Sequence, residues 1–178
     1  MTVMATTLTR ADLDALPDDG LRHELIDGAI IMTPSPGFPH QFLVGGLHAA
    51  LREAFHGSEY AVVLAPFDLD LNGNVVEPDL LLAPRAAFSG RDLHVVPLLV
   101  VEVQSPSTSW IDKGRKRDIY AQAGICHYWL ADPAVPSITT LTLDGAGYRQ
   151  TTHVTGDNSV TLDEPIDIRL NPAHLMLG

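Results

Sequence analysis

The sequence predicts an α/β (α+β) fold in which helices alternate with the strands of a mixed β-sheet. Three observations support this prediction. Apolar residues recur at steps of three and four from His40 to His56, β-branched runs follow from Tyr60, and a strand, a turn, a helix and a strand succeed one another between Leu98 and Ala131. Because strands joined through a helix pair in parallel, this last order predicts a right-handed crossover within the sheet.

Local signals in the N-terminal third predict a short helix, a hairpin and a longer helix. Thr9 and Asp12 have the spacing of a capping box, so a short helix is expected to begin there. The dipeptide Asp27-Gly28 favours a tight two-residue hairpin. The helix over His40–His56 is expected to stop at Gly57, because glycine readily adopts the left-handed conformation that ends helices.

The rest of the chain predicts strands on either side of one helix. That helix follows a turn at 106–108, extends from about Ile111 to Ala123 and stops at Gly124. The predicted strands are rich in β-branched residues and cover Tyr60–Leu71, Val75–Leu82, Leu98–Gln104, His127–Ala131 and two runs around Asp144-Gly145.

Length and composition indicate one packed globular domain, predicted to cover residues 1–178. Hydrophobic residues make up 46% of the chain and charged residues 19%, which is typical of a protein with a buried core. The net charge of −11 argues against broad coating of nucleic acid, because such binding relies on Lys and Arg. Any contact with nucleic acid is therefore expected to be local.

Cysteine content and hydropathy predict the compartment. Cys126 is the only cysteine, so an internal disulfide is excluded and a reducing cytoplasm is expected. The start of the chain lacks the pattern of a signal peptide. The longest apolar stretch, Val95–Val101, contains Pro97 and falls well short of the ~18 residues that a membrane helix requires. No membrane partner is expected.

Two acidic residues lie in runs that otherwise suit buried strands. Alternation places Glu77 and Asp79 on one face of their strand, and Glu102 shares a face with Gln104 on the next strand. A buried carboxylate is costly unless it is paired or bound to a metal ion. Asp79 and Glu102 can therefore converge on Mg²⁺, which prefers oxygen ligands. The alternative is equally open: Asp79 ends a strand in solvent and Glu102 pairs with an arginine.

A basic run follows the second acid. Lys113, Arg115, Lys116 and Arg117 lie near the start of the helix that follows Glu102. Such a cluster can receive a phosphodiester backbone, although a solvated helix face is the commoner meaning of a charge run. Its position beside Glu102 favours the functional interpretation.

Five motifs together carry a family resemblance. In chain order they are HELIDG at 23–28, EPD at 77–79, VEVQSPST at 101–108, K-x-x-x-Y-x-x-x-G at 116–124 and HYWLAD at 127–132. The chain resembles the Uma-two family of restriction endonucleases, within the PD-(D/E)XK nuclease superfamily, over a core of about residues 21–132. The combined set is far more specific than any single motif.

The resemblance implies a restriction-endonuclease-like fold with a central mixed sheet flanked by helices. It also implies hydrolysis of DNA phosphodiester bonds with Mg²⁺ or Mn²⁺, and a homodimer. Asp79 and Glu102 match the acidic positions of the superfamily motif. Gln104 stands where that motif has lysine, and Lys116 matches the position from which similar families supply it. Glu24 matches an early acid, which is either a metal-site or water-positioning residue or a charge at the hairpin edge.

Other motifs give weaker evidence for a catalytic or binding role. His40 and Gln41 resemble a His-Gln pair of the family, but a histidine that opens a helix is more often a cap or packing group than a base. His40 is therefore left out of the predicted catalytic set. With one cysteine, a structural zinc site is not expected, and the chain has no G-x-x-x-x-G-K-[ST] phosphate loop.

These assignments combine into one mechanistic hypothesis. Asp79, Glu102 and the backbone carbonyl of Val103 are expected to bind Mg²⁺, which polarises a phosphate and activates a water. Lys116 is expected to stabilise the developing charge while Gln104 orients the water, and loss of the Lys116 ammonium is expected to leave folding nearly unchanged. Two alternatives stay open: a non-catalytic dimeric binding module that retains the fold, and a metal-dependent hydrolase of a small phosphoester.

Overall fold

Two β-sheets that share a hydrophobic core form the framework of the fold. The structure, a computed structural model, describes residues 7–105 and 112–177. Its strands are β1 (Arg22–Ile26), β2 (Ala29–Thr33), β3 (Tyr60–Leu64), β4 (Asp68–Leu71), β5 (Asn74–Val76), β6 (Leu80–Pro84), β7 (Asp92–Leu93), β8 (Leu99–Val103), β9 (His127–Asp132), β10 (Ser137–Asp144), β11 (Gly147–Thr155), β12 (Val160–Leu162) and β13 (Ile168–Leu170). Its helices are α1 (Arg10–Asp14), α2 (Phe38–Ala54), α3 (Arg117–Ala123) and α4 (Pro172–Leu175), with a 3₁₀ turn at Arg85–Ala87 and a π-helical turn at Asp112–Lys116.

The larger sheet is mixed, as predicted. Within the described residues it has six strands in the order β11-β10-β9-β8-β6-β3. Strands β8 and β9 pair in parallel and α3 lies between them in the chain, which confirms the parallel pairing predicted from the strand-helix-strand order. The second sheet has the order β2-β1-β5-β4-β7, and β12 pairs with β13 separately.

Helix α2 covers one face of the six-stranded sheet. Leu43, Leu47 and Leu51 recur every four residues and are fully buried, so they form one apolar stripe. This stripe packs in a single cluster with side chains of β6, β8 and β9, among them Val101 and Trp129. The predicted amphipathic helix is confirmed, although it begins and ends two residues earlier than the apolar periodicity indicates.

Helix α3 and the second sheet cover the opposite face. Ile119 and Tyr120 of α3 pack in another cluster with Val100 and Tyr128 of the larger sheet and with Leu69 of the second sheet. Helices therefore flank the central sheet on both faces, which brings α2 and the turn before α3 to the strand ends where the acidic motifs lie. No helix within residues 7–105 and 112–177 is long and apolar enough to cross a membrane.

Two runs predicted as continuous strands are each divided. The run Val75–Leu82 contributes β5 to one sheet and β6 to the other, and residues 77–79 cross between them. Pro78 has no backbone N–H to donate to a strand ladder, so the strand breaks there. The run Tyr60–Leu71 divides in the same way into β3 and β4 on either side of Pro66.

Local turn signals are confirmed where the structure describes them. The Asp27-Gly28 dipeptide joins β1 to β2 with positive φ at both residues, 51° and 74°, as in a type I′ hairpin. At the start of α1, the Oδ2 atom of Asp12 accepts hydrogen bonds from the backbone N–H and the hydroxyl of Thr9, at 2.8 and 2.7 Å. The predicted turn at 106–108 and the predicted helix start at Ile111 lie outside the described residues.

Two adjacent glycines of α2 give a matched test of how α4 packs on the fold. A Cβ atom at Gly46 would lie far inside contact distance of the backbone carbonyl of Leu175 in α4, whereas a Cβ atom at Gly45 meets nothing. We expect Gly46→Ala to lower the free energy of unfolding by about 1–3 kcal/mol. Gly45→Ala should instead raise it by up to about 1 kcal/mol, because alanine favours helix. Urea unfolding measures both, and equal effects would contradict the packing.

Candidate active site

Three buried carboxylates gather where the two sheets meet. Asp79 lies in the crossing segment before β6, Glu102 in β8 and Glu24 in β1. Only 3%, 1% and 2% of their respective surfaces are exposed. The alternative in which Asp79 ends a strand in solvent is therefore wrong, and each carboxylate needs a partner that offsets the cost of its burial.

The register of β6 against β8 brings Asp79 to Glu102. The two strands are antiparallel and Leu80 pairs with Val101, so one further step along the ladder places Asp79 across from Glu102. The backbone N–H of Val103 donates to Oδ2 of Asp79 at 2.8 Å, which fixes the Asp79 carboxylate at the end of β8. The two acids predicted as a pair thus lie on neighbouring strand ends.

Asp79 is held by a cation and two hydrogen-bond donors. Nη2 of Arg22 lies 3.1 Å from Oδ1, and Nε2 of His40 lies 3.2 Å from Oδ2, the same oxygen that Val103 contacts. Burial alone would raise the pKa of Asp79, but the His40 hydrogen bond, the Arg22 charge and the Val103 N–H together outweigh it and lower the pKa. Asp79 is therefore ionised over the ordinary pH range.

Arg22 joins Asp79 to a second acid on the crossing segment. Its Nη1 donates to the backbone carbonyl of Glu77 at 3.2 Å, and its Nε lies 3.6 Å from Oε2 of the same residue. Burial alone would lower the pKa of the Arg22 guanidinium, but the charges of Asp79, Glu102 and Glu24 outweigh burial and raise this pKa above its usual value. Burial also raises the pKa of the Glu77 carboxyl above its usual value.

His40 acts on Asp79 as a hydrogen-bond donor. An ionised carboxylate only accepts hydrogen bonds, so the Nε2 atom of His40 carries the hydrogen that points to Asp79. Its Nδ1 atom is buried and has no hydrogen-bond partner among the described residues. A buried N–H without a partner is costly, so the geometry favours a hydrogen on Nε2 over a hydrogen on Nδ1.

Glu102 is bound by a lysine and a tyrosine from the segment that follows it. Nζ of Lys116 lies 3.0 Å from Oε1 of Glu102 and 2.8 Å from Oε1 of Glu24, and only 2% of its side chain is exposed. The hydroxyl of Tyr120 donates to Oε1 of Glu102 at 2.6 Å. Glu24 also accepts from the backbone N–H of Glu77 at 2.7 Å. The ammonium therefore bridges acids of β1 and β8, and the predicted arginine partner of Glu102 is replaced by Lys116.

The buried position of Tyr120 beside Glu102 keeps its hydroxyl protonated, so the hydroxyl donates a hydrogen bond. Burial first, and then the Glu102 charge, raise the pKa of its hydroxyl well above the usual value. Lys116 and Tyr120 are four residues apart at the start of α3, so both side chains reach the same carboxylate from one side of the chain.

Gln104 and Val103 lie beside these acids, but the contacts they make are not those of the water-orienting and metal-binding roles predicted for them. The backbone N–H of Gln104 donates to the carbonyl of Ala131 at 2.7 Å, which extends the β8–β9 pairing, and its side chain is half-buried. No hydrogen bond within the described residues links the Gln104 amide to Asp79, Glu102 or Lys116. Val103 contributes its N–H to Asp79, as described above, and the carbonyl role expected for it stays a prediction.

The basic run after Glu102 does not form one surface for phosphates. Arg115 pairs with Asp27 in the β1–β2 turn, Lys116 is buried, and Nη2 of Arg117 donates to the backbone carbonyl of Tyr148 at 2.7 Å. Three of the four basic residues therefore already have partners inside the molecule. The side chain of Lys113 lies outside the part of the chain that the structure describes.

Sequence reasoning gave no role to Arg22 or Tyr120 of this cluster, and it considered His40 but left it out of the catalytic set. Arg22 and His40 reach Asp79 across 57 and 39 residues of sequence, and no local pattern predicts such contacts. Tyr120 could have been found, because the motif that contains Lys116 places a tyrosine four residues later, on the same side of a helix.

The charge of the cluster fits a divalent cation. Four carboxylates, Glu24, Glu77, Asp79 and Glu102, face two cationic side chains, Arg22 and Lys116, which leaves a formal charge of −2 among the described groups. Carboxylate and carbonyl oxygens are the ligands that Mg²⁺ prefers. No three His, Cys, Asp or Glu side chains in residues 7–105 and 112–177 are grouped around one point, so an ion here would complete its shell with backbone oxygens and water.

The lowered pKa of Asp79 predicts how stability changes in acid. A carboxylate whose pKa is lower in the folded state contributes stability above the unfolded pKa, and this contribution is lost as the pH falls through the folded pKa. Between about pH 5 and about pH 2, the free energy of unfolding should fall more steeply for the parent protein than for Asp79→Asn. Urea unfolding at several pH values measures both slopes. Asp144→Asn, which changes an exposed aspartate, is the control. Identical slopes for Asp79→Asn and the parent protein would contradict the stabilisation of ionised Asp79 by its three partners.

The burial of Lys116 predicts a cost of its removal that the sequence did not indicate. Lys116→Met takes an ammonium away from two buried carboxylates, so the free energy of unfolding should fall by about 3–5 kcal/mol. Arg149→Met, which breaks the exposed pair with Asp144, should cost less than about 1 kcal/mol. Adding Glu102→Gln to Lys116→Met should recover part of the loss, because it removes one uncompensated charge. Equal destabilisation by Lys116→Met and Arg149→Met in urea unfolding would show that the buried bridge is unimportant.

Comparisons with known proteins agree with this fold and these motifs. The sequence matches the profile of the Uma2 family, described as "Putative restriction endonuclease", over residues 10–173. The fold is similar to the crystal structure of a "putative nuclease belonging to DUF820" from Anabaena variabilis, with a TM-score of 0.75 over 95% of this chain and 97% of that one. The two sequences are 15% identical, so this likeness shows the fold alone. No match is found among curated proteins. The chain belongs to the Uma2 family, and its mixed α/β fold is the one that the resemblance predicted.

Proposed function

We propose that this protein is a divalent-metal-dependent endonuclease that hydrolyses phosphodiester bonds of DNA. The observation that carries the proposal is the pair of buried carboxylates, Asp79 and Glu102, held across from each other on neighbouring strands. Buried acids with strongly interacting charge partners are typical of functional sites. The family description supports a nuclease, and the charge of −2 supports a divalent cofactor.

Asp79, Glu102 and the backbone carbonyl of Val103 are the proposed ligands of Mg²⁺ or Mn²⁺. When bound, the divalent ion supplies Lewis acidity for attack of water on the phosphodiester. Arg22 and His40 hold the Asp79 carboxylate in place, and we assign them as positioning residues. Their contacts fix one oxygen each, which limits rotation of the carboxylate.

Lys116 is the proposed source of positive charge for the reaction. Its ammonium rests between Glu24 and Glu102, where it neutralises part of the charge of the cluster. In the proposed reaction the lysine side chain leaves this bridge and places its charge beside a phosphate oxygen, where it stabilises the developing negative charge. Glu24 would keep the ammonium in reach, and Gln104, half-buried two residues after Glu102, would orient a water molecule.

A second candidate function is a binding module that retains the fold without cleaving DNA. The internal neutralisation of Glu102 by Lys116 and of Asp79 by Arg22 favours it, because a cluster that carries its own cations is stable without a metal ion. Gln104 in place of the superfamily lysine favours it as well.

The homodimer, the single domain over residues 1–178 and the cytoplasmic location stay predictions. Light scattering tests the homodimer, and limited proteolysis tests the single domain.

Divalent-ion binding distinguishes these candidates. Glu102→Gln is nearly isosteric and should keep the fold, yet it should weaken Mg²⁺ and Mn²⁺ binding at least about tenfold, because an amide is a poorer ligand than a carboxylate. Isothermal titration calorimetry measures the affinity, and circular dichroism checks the fold. Glu53→Gln, which changes an exposed glutamate of α2, is the matched control. Unchanged ion binding in Glu102→Gln would remove Glu102 from the site.

Cleavage is tested with supercoiled, linear and single-stranded DNA in Mg²⁺, in Mn²⁺ and in chelator. The proposal expects cleavage that requires the metal and is lost in Glu102→Gln. Metal binding without cleavage of any DNA would favour the binding module. Turnover of a small phosphodiester without cleavage of DNA would replace DNA by a small ester as the substrate.

A further inference from the structure

Two different donors meet at one oxygen of the Glu102 carboxylate. Nζ of Lys116 lies 3.0 Å from Oε1, and the hydroxyl of Tyr120 donates to the same atom at 2.6 Å. The lysine donor is a cation on a long, flexible side chain, whereas the tyrosine donor is a neutral group on a rigid ring. The two contacts should therefore respond differently when a further positive charge binds to Glu102.

The lysine contact conflicts with a divalent cation at this carboxylate. The ammonium and the cation would carry like charges at close range, and the side chains of Lys116 and Glu102 are buried, so water screens their repulsion little. Nζ of Lys116 also lies 2.8 Å from Oε1 of Glu24, which gives the ammonium a second carboxylate to which it can withdraw. Loading of the site is thus expected to loosen Lys116 from Glu102.

The tyrosine contact carries no such conflict. A hydroxyl has no net charge, so a cation at Glu102 does not drive it away as it does an ammonium. The distance of 2.6 Å is within the range of roughly 2.5–2.7 Å for hydrogen bonds from a hydroxyl to a carboxylate, which are about twice as strong as bonds between neutral groups. When Lys116 withdraws, this bond still fixes Oε1 of Glu102.

The packing of the Tyr120 ring keeps its hydroxyl in place. Tyr120 is fully buried and contacts the ring of Tyr128 edge to face, with the ring centroids 5.2 Å apart and an interplanar angle of 67°. Tyr128 belongs to β9, which pairs with β8 so that Leu130 lies opposite Glu102. The ring that carries the donor therefore packs on the strand next to the one that carries the acceptor, and it cannot follow Lys116 away from Glu102.

We propose that Tyr120 is a positioning residue that holds Glu102 in place for a divalent cation while Lys116 withdraws. It acts through Glu102 and contacts neither the cation nor the substrate. The inference rests on the proposed function, because it concerns the same metal site. In the metal-free protein both donors hold Oε1, whereas in the loaded protein the hydroxyl keeps this task without the lysine. Loss of the hydroxyl should therefore weaken cation binding more than it weakens the fold.

The two tyrosines that contact Tyr128 provide a matched pair of variants. Tyr148 is also buried, its ring centroid lies 5.6 Å from that of Tyr128, and its hydroxyl donates to the backbone carbonyl of Ile125 at 2.7 Å. Tyr120→Phe and Tyr148→Phe each remove one buried hydroxyl and leave the ring. In urea unfolding without metal, both should raise the unfolding constant of the full chain by a similar factor of about ten.

Cation affinity separates the two variants. Mn²⁺ is titrated into each full-length protein by isothermal titration calorimetry. Tyr120→Phe should weaken Mn²⁺ binding about 10- to 100-fold, as is typical when a group that orients a metal ligand is removed, whereas Tyr148→Phe should bind Mn²⁺ like the parent protein. At one fixed Mn²⁺ concentration, the increase in the urea midpoint caused by the ion should also be smaller for Tyr120→Phe than for Tyr148→Phe.

The outcomes separate this inference from the proposed function. A Tyr120→Phe variant that binds Mn²⁺ like the parent would overturn the inference and leave the metal site itself, which Glu102→Gln tests, in place. Equal losses of affinity in Tyr120→Phe and Tyr148→Phe would reflect a general loosening of the fold and overturn it too. Absence of Mn²⁺ binding in the parent would overturn the proposed function and the inference together. None of these measurements requires cleavage, so a protein that binds the cation without cutting DNA would still reveal the role of Tyr120.

Discussion

The antiparallel register of β6 against β8 is the constraint on which the rest of the site depends. It sets Asp79 across from Glu102 at the point where the chain crosses from one sheet to the other. Burying two carboxylates there costs several kcal/mol each unless cations and donors accompany them. The neighbouring elements supply these groups: β1 contributes Arg22, α2 contributes His40, and the turn before α3 contributes Lys116. Each of these elements is thereby tied to the same strand ends.

The same arrangement explains how the cluster can be stable and still attract a cation. Arg22 and Lys116 neutralise half of the four carboxylates, which is enough to hold the strands together without leaving any acid unpaired. Among the described groups a formal charge of −2 remains, and it is a cost to folding because like charges repel in a medium of low polarity. A divalent ion would remove that cost, so ion binding should also stabilise the fold.

Features that depend on residues close together in the sequence could be predicted from it, whereas features that depend on residues far apart in the sequence could not. The Asp27-Gly28 hairpin and the apolar stripe of α2 are set by neighbouring residues, and both were predicted. Alternation along two strands also singled out Asp79 and Glu102. The break at Pro78 was missed, because an apolar run does not reveal that its halves belong to different sheets. Contacts such as Arg22 with Asp79 depend on the assembled fold, and no spacing rule links residues so far apart.

The basic run shows why local charge density is a poor guide to a binding surface. Successive residues of a helical segment point about 100° apart, so consecutive basic residues cannot all face one ligand. Arg115 turns to the hairpin at Asp27, Lys116 turns inward to the acids, and Arg117 turns to β11 at Tyr148. One dense stretch of sequence is thus three separate contacts that fasten the start of α3 to three parts of the molecule. Apart from Lys113, whose side chain lies outside the described part of the chain, this run therefore does not present one basic surface to a nucleic acid.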